Sequence, residues 1–154
     1  MMRPRLIPVL LLRDGALVKS KVFGRPTYIG DPINAVRIFN GLRADELVFL
    51  DTTATRERRT ISLELVRALS EEARMPSAAG GGIRTLAQIR DVLGAGAEKV
   101  VLNSIAAENP NFVAEAANAF GSSTIVVCID VKRGFFGKQR AWSVNGSRKS
   151  DYSP

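Results

Sequence analysis

Glycines and small polar residues follow two of the apolar runs in this sequence. Gly80, Gly81 and Gly82 come after one run and just before a helical pattern. A backbone without side chains can approach an anion closely and direct its N–H groups at it. Asn103 and Ser104 follow the next apolar run and offer further donors. This pattern predicts a phosphate site, although glycine-rich turns also occur for purely structural reasons.

Two aspartates that end apolar runs, Asp51 and Asp130, are candidates for proton transfer. Burial and a neighbouring cation such as Lys19 can tune a carboxylate for general acid–base chemistry. Lys132 lies two residues after Asp130 and favours that aspartate for this role. The alternative for either aspartate is that it only holds a loop in place.

The sequence contains no histidine and a single cysteine, Cys128. The lack of histidine excludes Ser-His and Cys-His nucleophile pairs and histidine-based metal sites. One cysteine can form neither a disulfide within the chain nor a multi-cysteine zinc site. Any acid–base chemistry must therefore use Asp, Glu, Lys, Tyr or Cys, and we predict no metal and no cofactor.

Charged residues also stand directly before three of the apolar runs: Arg5, Glu46 and Lys99. In a parallel sheet these positions share one level, at the amino ends of the strands. Inside a packed barrel such charges must pair with one another, and they could leave a polar opening there. The alternative is that they are ordinary exposed strand starts.

The apolar runs themselves are short and rich in leucine and β-branched residues, which predicts strands buried on both faces. They are residues 6–12, residues 47–50, a weaker run before Gly80, residues 100–102 and residues 125–129. Helical patterns separate them. Their apolar stripes are Ile33, Val36 and Phe39; Ile61, Leu65, Leu69 and Ala73; Leu86, Ile89, Val92 and Leu93; and Val113, Ala116, Ala117 and Phe120. Thr85 and Asn109 are the predicted N-caps of the last two helices, and Gly94 and Gly121 their predicted ends.

The alternation of strands and helices predicts an α/β fold built of right-handed parallel units. Five strands suit an open flavodoxin-like sheet, whereas a (β/α)8 TIM barrel needs about 250 residues. An open sheet should end with a covering helix, but residues 147–154 are polar and turn-like. Residues 9–15 also align with residues 128–134, and further extended segments follow at 16–19 and 135–142, as expected of duplicated halves. We therefore expect the first four units and the fifth strand of a barrel.

The composition bounds the class of protein. The chain has 154 residues and a formal net charge of +7, from Lys+Arg 22 and Asp+Glu 15. No segment approaches the roughly 18 uninterrupted apolar residues of a membrane helix, and the apolar start lacks a signal-peptide cleavage site. Basic residues are spread along the chain, which argues against nucleic-acid binding. Their one cluster, Arg56, Arg58 and Arg59, is either a solvated loop or an anion contact. We expect a cytoplasmic protein.

Six stretches together resemble the cyclase subunit of imidazole glycerol phosphate synthase, over nearly the whole chain. They are residues 30–32, 45–51, 80–83, 99–104, 108–110 and 120–122. That family has a (β/α)8 barrel of the ribulose-phosphate-binding type, made of two similar halves. The resemblance implies that residues 1–154 form one partial barrel domain. It also implies that strands six to eight, with a second phosphate site, are absent.

The resemblance further implies roles for individual residues. In that family a glutaminase subunit docks at the bottom of the barrel, and ammonia passes a gate of charged residues to reach a phosphorylated substrate at the top. The matching residues are, for catalysis, Asp130 and the substrate-binding Lys19, with Asp51 in a supporting position; for phosphate binding, Gly81, Gly82, Asn103 and Ser104; and for the ammonia gate, Arg5, Glu46 and Lys99.

One position departs from the family pattern. A second catalytic carboxylate belongs at the end of strand one, where this sequence has Leu11. Leucine cannot transfer a proton, and general acid–base groups contribute about 10²- to 10⁴-fold. The surrounding residues 8–12 and 28–34 are similar to a paralogous group found with surface-polysaccharide genes. The resemblance to that group implies a role in supplying ammonia for acetamidino sugars.

Three hypotheses therefore stand side by side. The first is a histidine-biosynthesis lyase that cleaves and cyclises a bisphosphorylated ribonucleotide with ammonia from a glutaminase partner. The second is a conduit that passes ammonia to a sugar amidotransferase in lipopolysaccharide synthesis. The third is an inactive fragment whose strand edges pair by self-association. Leu11 favours the second hypothesis, whereas Asp130, Lys19 and the predicted phosphate site favour the first.

Overall fold

The computed structural model describes residues 3–19, 26–133, 139–143 and 148–149. A β-hairpin and a third strand precede the first helix, and strands and helices then alternate. The elements are β1 Val9–Arg13, β2 Ala16–Lys19, β3 Thr27–Gly30, α1 Pro32–Gly41, β4 Leu47–Asp51, α2 Leu63–Glu72, β5 Ser77–Gly80, α3 Leu86–Gly94, β6 Lys99–Leu102, α4 Ser104–Glu108, α5 Asn111–Phe120, a 3₁₀ turn at Ser122–Thr124, β7 Ile125–Val127, β8 Asp130–Arg133, β9 Gln139–Ser143 and β10 Arg148–Lys149.

Seven strands form one sheet in the order β3-β2-β1-β4-β5-β6-β7. Five of these strands are parallel: β1, β4, β5, β6 and β7. Strands β2 and β3 extend the sheet beyond β1 and are antiparallel to their neighbours. Leu11 pairs with Leu50, Leu50 with Gly80, and Gly80 with Val101. This register brings the carboxyl ends of four parallel strands to one edge of the sheet, where ligand sites of parallel α/β folds lie.

Side chains at the helix starts fix where α1, α2 and α3 begin. Asp31 accepts a 2.9 Å hydrogen bond from the Asn34 backbone N–H, and Ser62 caps α2 in the same way. Thr85 caps α3 as predicted, and Gln88 returns the bond to complete a capping box. Each cap accepts a hydrogen bond from N–H groups that the first turn of a helix leaves unpaired. The Thr85 cap therefore fixes the distance between the start of α3 and the glycine turn before it.

The main core lies between the sheet and helices α1, α2 and α3. Val36, Leu69 and Ile89 project from these helices and are fully buried against strand residues that include Leu47 and Phe49. Burying each such side chain contributes about 1.5–3 kcal/mol. The alternate residues of β4, Val48 and Leu50, are only half-buried. The helices therefore cover one face of the sheet well, while the other face keeps some access to solvent.

The structure corrects three of the sequence predictions for local elements. Asn109 is not the N-cap of a helix; it ends the five-residue helix α4, which the sequence analysis missed, and Pro110 caps α5. Ile61 lies before α2 instead of on its stripe, although it is buried. Strand β1 begins at Val9, later than predicted. In each case the backbone geometry near a turn, and not the spacing of apolar residues, sets where the element begins or ends.

The last described strands form a separate antiparallel sheet in the order β10-β9-β8. Trp142 pairs with Asp130 on one side and with Lys149 on the other. The predicted extended segment 135–142 corresponds in part to β9, and residues 134–138 lie outside the described residues. Most of the polar tail, residues 144–147 and 150–154, lies outside them too.

The large sheet is open and does not close into a barrel. Within the described part of the chain, β7 pairs with β6 alone, and β3 ends the sheet on the other side. The parallel order of strands and covering helices is consistent with the expected (β/α) barrel family, of which the first four units and the fifth strand were expected here. Among the described residues, no helix has the length and apolar character needed to cross a membrane.

Candidate functional site

A cavity of about 380 Å³ opens at the carboxyl ends of the parallel strands. The turns after β4, β5 and β6 form much of its wall, and Leu11, Cys128 and Asp130 complete it from both sides. Its position agrees with the rule that parallel α/β folds bind ligands at this edge. Its lining combines apolar side chains with a few converging polar groups, as ligand sites commonly do.

The predicted glycine turn lies against this cavity in a conformation that requires glycine. Gly81 has φ +141° and Gly82 has φ +67°. A Cβ atom at Gly81 would lie 2.8 Å from the Asp51 Cβ, and one at Gly82 would overlap the Arg59 carbonyl oxygen. The positive φ angles and these close contacts both exclude side chains at Gly81 and Gly82. The backbone N–H groups of this turn can therefore approach an anion closely.

Asn103 and Ser104 line the cavity beside the glycine turn. The Asn103 amide donates to the Cys128 carbonyl oxygen at 3.1 Å and to Asp130 Oδ2 at 3.4 Å. These bonds tie the turn after β6 to the segment after β7. The structure therefore brings all four predicted phosphate residues to one cavity, together with Asp130.

Lys19 is not brought to this cavity. It is exposed at the end of β2, where it pairs with Thr27, and it does not line the cavity. Its neighbours Val18 and Pro26 do line the cavity. The pairing of Lys19 with a strand-end aspartate stays a prediction.

Asp51 anchors a loop. Its Oδ1 accepts bonds from the Thr53 backbone N–H at 2.9 Å, the Thr53 hydroxyl at 3.1 Å and the Ala54 N–H at 3.1 Å. Its Oδ2 accepts a 2.6 Å bond from Arg59 Nη1. The alternatives for Asp51 were proton transfer and holding a loop in place, and these contacts favour the second.

The cation beside Asp51 is Arg59, a member of the cluster that was predicted to be either a solvated loop or an anion contact. Its hydrogen bond to Asp51 raises the pKa of the guanidinium above its ordinary value, against the opposing effect of burial, and Glu57 adds to the increase. The sequence signal was weak, because Arg59 lies eight residues after its partner and only the folded loop brings them together.

Asp130 is the cavity carboxylate that stays available for chemistry. It is half-buried at the start of β8, and its described side-chain contact is the Asn103 amide. The other carboxylates that line the cavity, Asp51 and Glu57, are both bound to Arg59. Leu11 occupies the wall position where a second catalytic carboxylate was expected. Among the described lining residues, Asp130 is thus the carboxylate that has no ion-pair partner.

Cys128 also lines the cavity, and its carbonyl oxygen accepts the hydrogen bond from Asn103. Burial raises the pKa of the Cys128 thiol, the hydrogen bond with Asn103 lowers it by less, and the charge of Asp130 adds to the increase. A thiol with a raised pKa is a poor nucleophile at neutral pH. No group of three His, Cys, Asp or Glu side chains in the described chain is placed to hold a metal ion.

The three charged residues at the opposite strand ends form one network. Lys99 Nζ lies 2.8 and 2.7 Å from the two Glu46 carboxylate oxygens, and Arg5 Nη2 lies 2.8 Å from Glu46 Oε2. Glu46 is 4% exposed. Asp45, whose role was not predicted, fixes the segment next to Arg5 by accepting a 2.6 Å bond from the Leu6 N–H. The alternative of separate exposed strand starts is excluded.

Comparison with known proteins assigns the family. The model of the family described as histidine biosynthesis protein matches residues 5–153. A protein of Leptospira borgpetersenii with the provisional name imidazole glycerol phosphate synthase subunit HisF is 44% identical over 97% of this chain and 59% of its own length. The Alkaliphilus metalliredigens imidazole glycerol phosphate synthase subunit HisF is 41% identical over 97% and 60%. This chain thus spans about three fifths of these relatives. It belongs to the histidine biosynthesis protein family, and its relatives there include HisF subunits.

Proposed function

We propose that this chain belongs to the barrel subunit of an imidazole glycerol phosphate synthase type of glutamine amidotransferase. The subunit binds a phosphorylated ligand in the cavity and admits ammonia at the opposite strand ends. One observation carries the proposal: the same strands bear both sites. Lys99 starts β6 and Asn103 follows it, so the charged network lies about 13 Å beneath the cavity along one strand.

The cavity supports binding of a phosphate group. Gly81 and Gly82 present bare backbone, and Asn103 and Ser104 add polar groups at the adjacent strand end. Anions bind well where several N–H groups converge without side chains between them. Asp130 lies on the same cavity and is the group that we assign to proton transfer.

The charged network supports passage of ammonia. Glu46 pairs with two cations, Arg5 and Lys99. The amino ends of the strands are therefore polar here, whereas apolar side chains usually fill a barrel. An uncharged ammonia molecule can cross such a level when Lys99 moves aside, while the cations repel ammonium. Arg5 is partly exposed there, so the proposed glutaminase partner would dock at this end.

Leu11 favours a second candidate within the same architecture. Two carboxylates on opposite sides of a ligand can act as acid and base, and here one side presents an apolar wall of Leu11 and Leu50. The second candidate is a subunit that retains the binding cavity, does not cyclise its ligand and passes ammonia to a sugar amidotransferase.

An activity assay separates the two candidates. The complete protein is supplied with ammonium and the bisphosphorylated ribonucleotide substrate of histidine biosynthesis, and cyclisation is followed for native Leu11 and for Leu11→Asp. Turnover by the native protein that Leu11→Asp leaves unchanged supports the lyase. Turnover only in Leu11→Asp, about 10²-fold or more above the native protein, supports the conduit. If neither protein turns over or binds the substrate, the proposed function is wrong.

A further inference from the structure

Three arginines line the cavity, and two of them already have acidic partners. Arg84 makes a bidentate ion pair with Glu108 at 2.8 and 3.0 Å, and Arg13 lies 3.5 Å from Asp14. Within the described part of the chain, Arg56 takes part in no hydrogen bond or ion pair. Arg56 is therefore the lining cation with its charge still uncompensated there.

The loop that carries Arg56 is fastened at both ends against the glycine turn. Its start is held by the bonds from Asp51 to Thr53 and Ala54, and its end by the ion pair between Asp51 and Arg59. A Cβ at Gly82 would overlap the Arg59 carbonyl oxygen and would lie 3.2 Å from the Ala54 carbonyl carbon. The short arc that bears Arg56 is thus fixed next to the turn proposed to bind phosphate.

A cation stabilises a phosphate group in this cavity, and the lining arginines other than Arg56 already pair with Asp14 and Glu108. Backbone N–H groups and the Asn103 amide donate hydrogen bonds but carry no net charge. Asp130 lines the same cavity and disfavours an anion, and Lys19 does not line it. A guanidinium is well suited to the task, because its planar donors match phosphate oxygens.

We propose that Arg56 is a ligand-binding residue that neutralises the phosphate group held by the turns after β5 and β6. This inference rests on the proposed function, since it assigns a charge partner to the same phosphate. It also decides between the two readings of the arginine cluster: Arg56 contacts the anion, Arg59 anchors the loop, and Arg58 is exposed to solvent.

The test is calorimetric titration of inorganic phosphate into the complete protein, with Arg56→Gln and Arg58→Gln as matched variants of one loop. Arg56 and Arg58 are both exposed, but only Arg56 lines the cavity, so loss of Arg58 removes the same charge from the same segment without touching the site. We expect Arg56→Gln to weaken phosphate binding about tenfold and to flatten its salt dependence, as loss of a charge-assisted bond does. Arg58→Gln should stay within about twofold of the native protein.

The outcomes distinguish failure of the role of Arg56 from failure of the proposed phosphate site. Equal affinities of the two variants overturn the role of Arg56 and leave the phosphate site standing. Absence of phosphate binding by the native protein overturns both. Thermal unfolding of each variant shows whether the loop has stayed folded.

Discussion

At the scale of single residues, Gly82 shows how tightly the site is built. Its positive φ and the Arg59 carbonyl oxygen both exclude a side chain. We expect Gly82→Ala to lower the free energy of unfolding by about 3 kcal/mol, because alanine is strained at this φ and displaces the loop. Gly94→Ala is the control: a Cβ there meets nothing within 4 Å, and the change should stay below about 1 kcal/mol. Equal losses in urea unfolding would show that the glycine turn and the loop are not packed together.

The thiol of Cys128 gives a second prediction at this scale. Because burial raises its pKa in the folded protein, the thiol keeps its proton to a higher pH than in the unfolded chain. Its contribution to stability is therefore complete below the unfolded pKa and is lost as the pH rises through the folded value. Alkylation by iodoacetamide should be slower in the folded protein than in urea, with the difference shrinking at high pH. Cys128 is the sole cysteine, so the signal is specific. Equal rates near pH 8 would contradict the prediction.

Residue types alone indicated the phosphate site but could not assign partners. Gly81, Gly82, Asn103 and Ser104 were predictable because strand ends in parallel folds converge. The partner of Asp51 was not, since Lys19 and Arg59 are equally plausible cations in a sequence. Only the path of the loop and the direction of β2 decide between them.

At the scale of elements, the charged network fastens the amino ends of β4 and β6 to the segment before β1. Glu46→Ala would leave Lys99 partly buried without its partner. We expect it to reduce the free energy of unfolding by about 3 kcal/mol. Glu72→Ala, which removes the exposed 3.2 Å ion pair with Arg37, should cost about 1 kcal/mol or less. Similar small effects of both variants in chemical denaturation would mean that the network is only a surface ion pair.

Elements were predictable where their signals are local. Thr85 and Gln88 cap α3 through bonds within one turn, and apolar runs of four and three residues marked β4 and β6. Helix α4 escaped prediction because five residues are too few to show a helical stripe. Asn109, which resembles an N-cap, in fact ends that helix.

At the scale of the whole molecule, the parallel α/β order was foreseen, and the sheet is open, as the first units of a barrel alone would be. Closure depends on strands that pair across the sheet edges, and local sequence patterns carry no information on that pairing. The exposed apolar side chains Val9 and Val127 lie in strands on opposite sides of the parallel segment, where a closed barrel would cover them. The partial-barrel domain stays a prediction.

The central claim is that one cavity binds phosphate through the turns after β5 and β6. The most direct measurement is a titration of inorganic phosphate into the ¹⁵N-labelled protein, followed by the backbone amide resonances. We predict that the amides of Gly81, Gly82 and Ser104 shift together along one saturating curve, while those of Gly94 and Gly96, in a glycine pair that precedes a strand, do not move. Shifts scattered over surface arginines, or larger at Gly96 than at Gly82, would contradict the account.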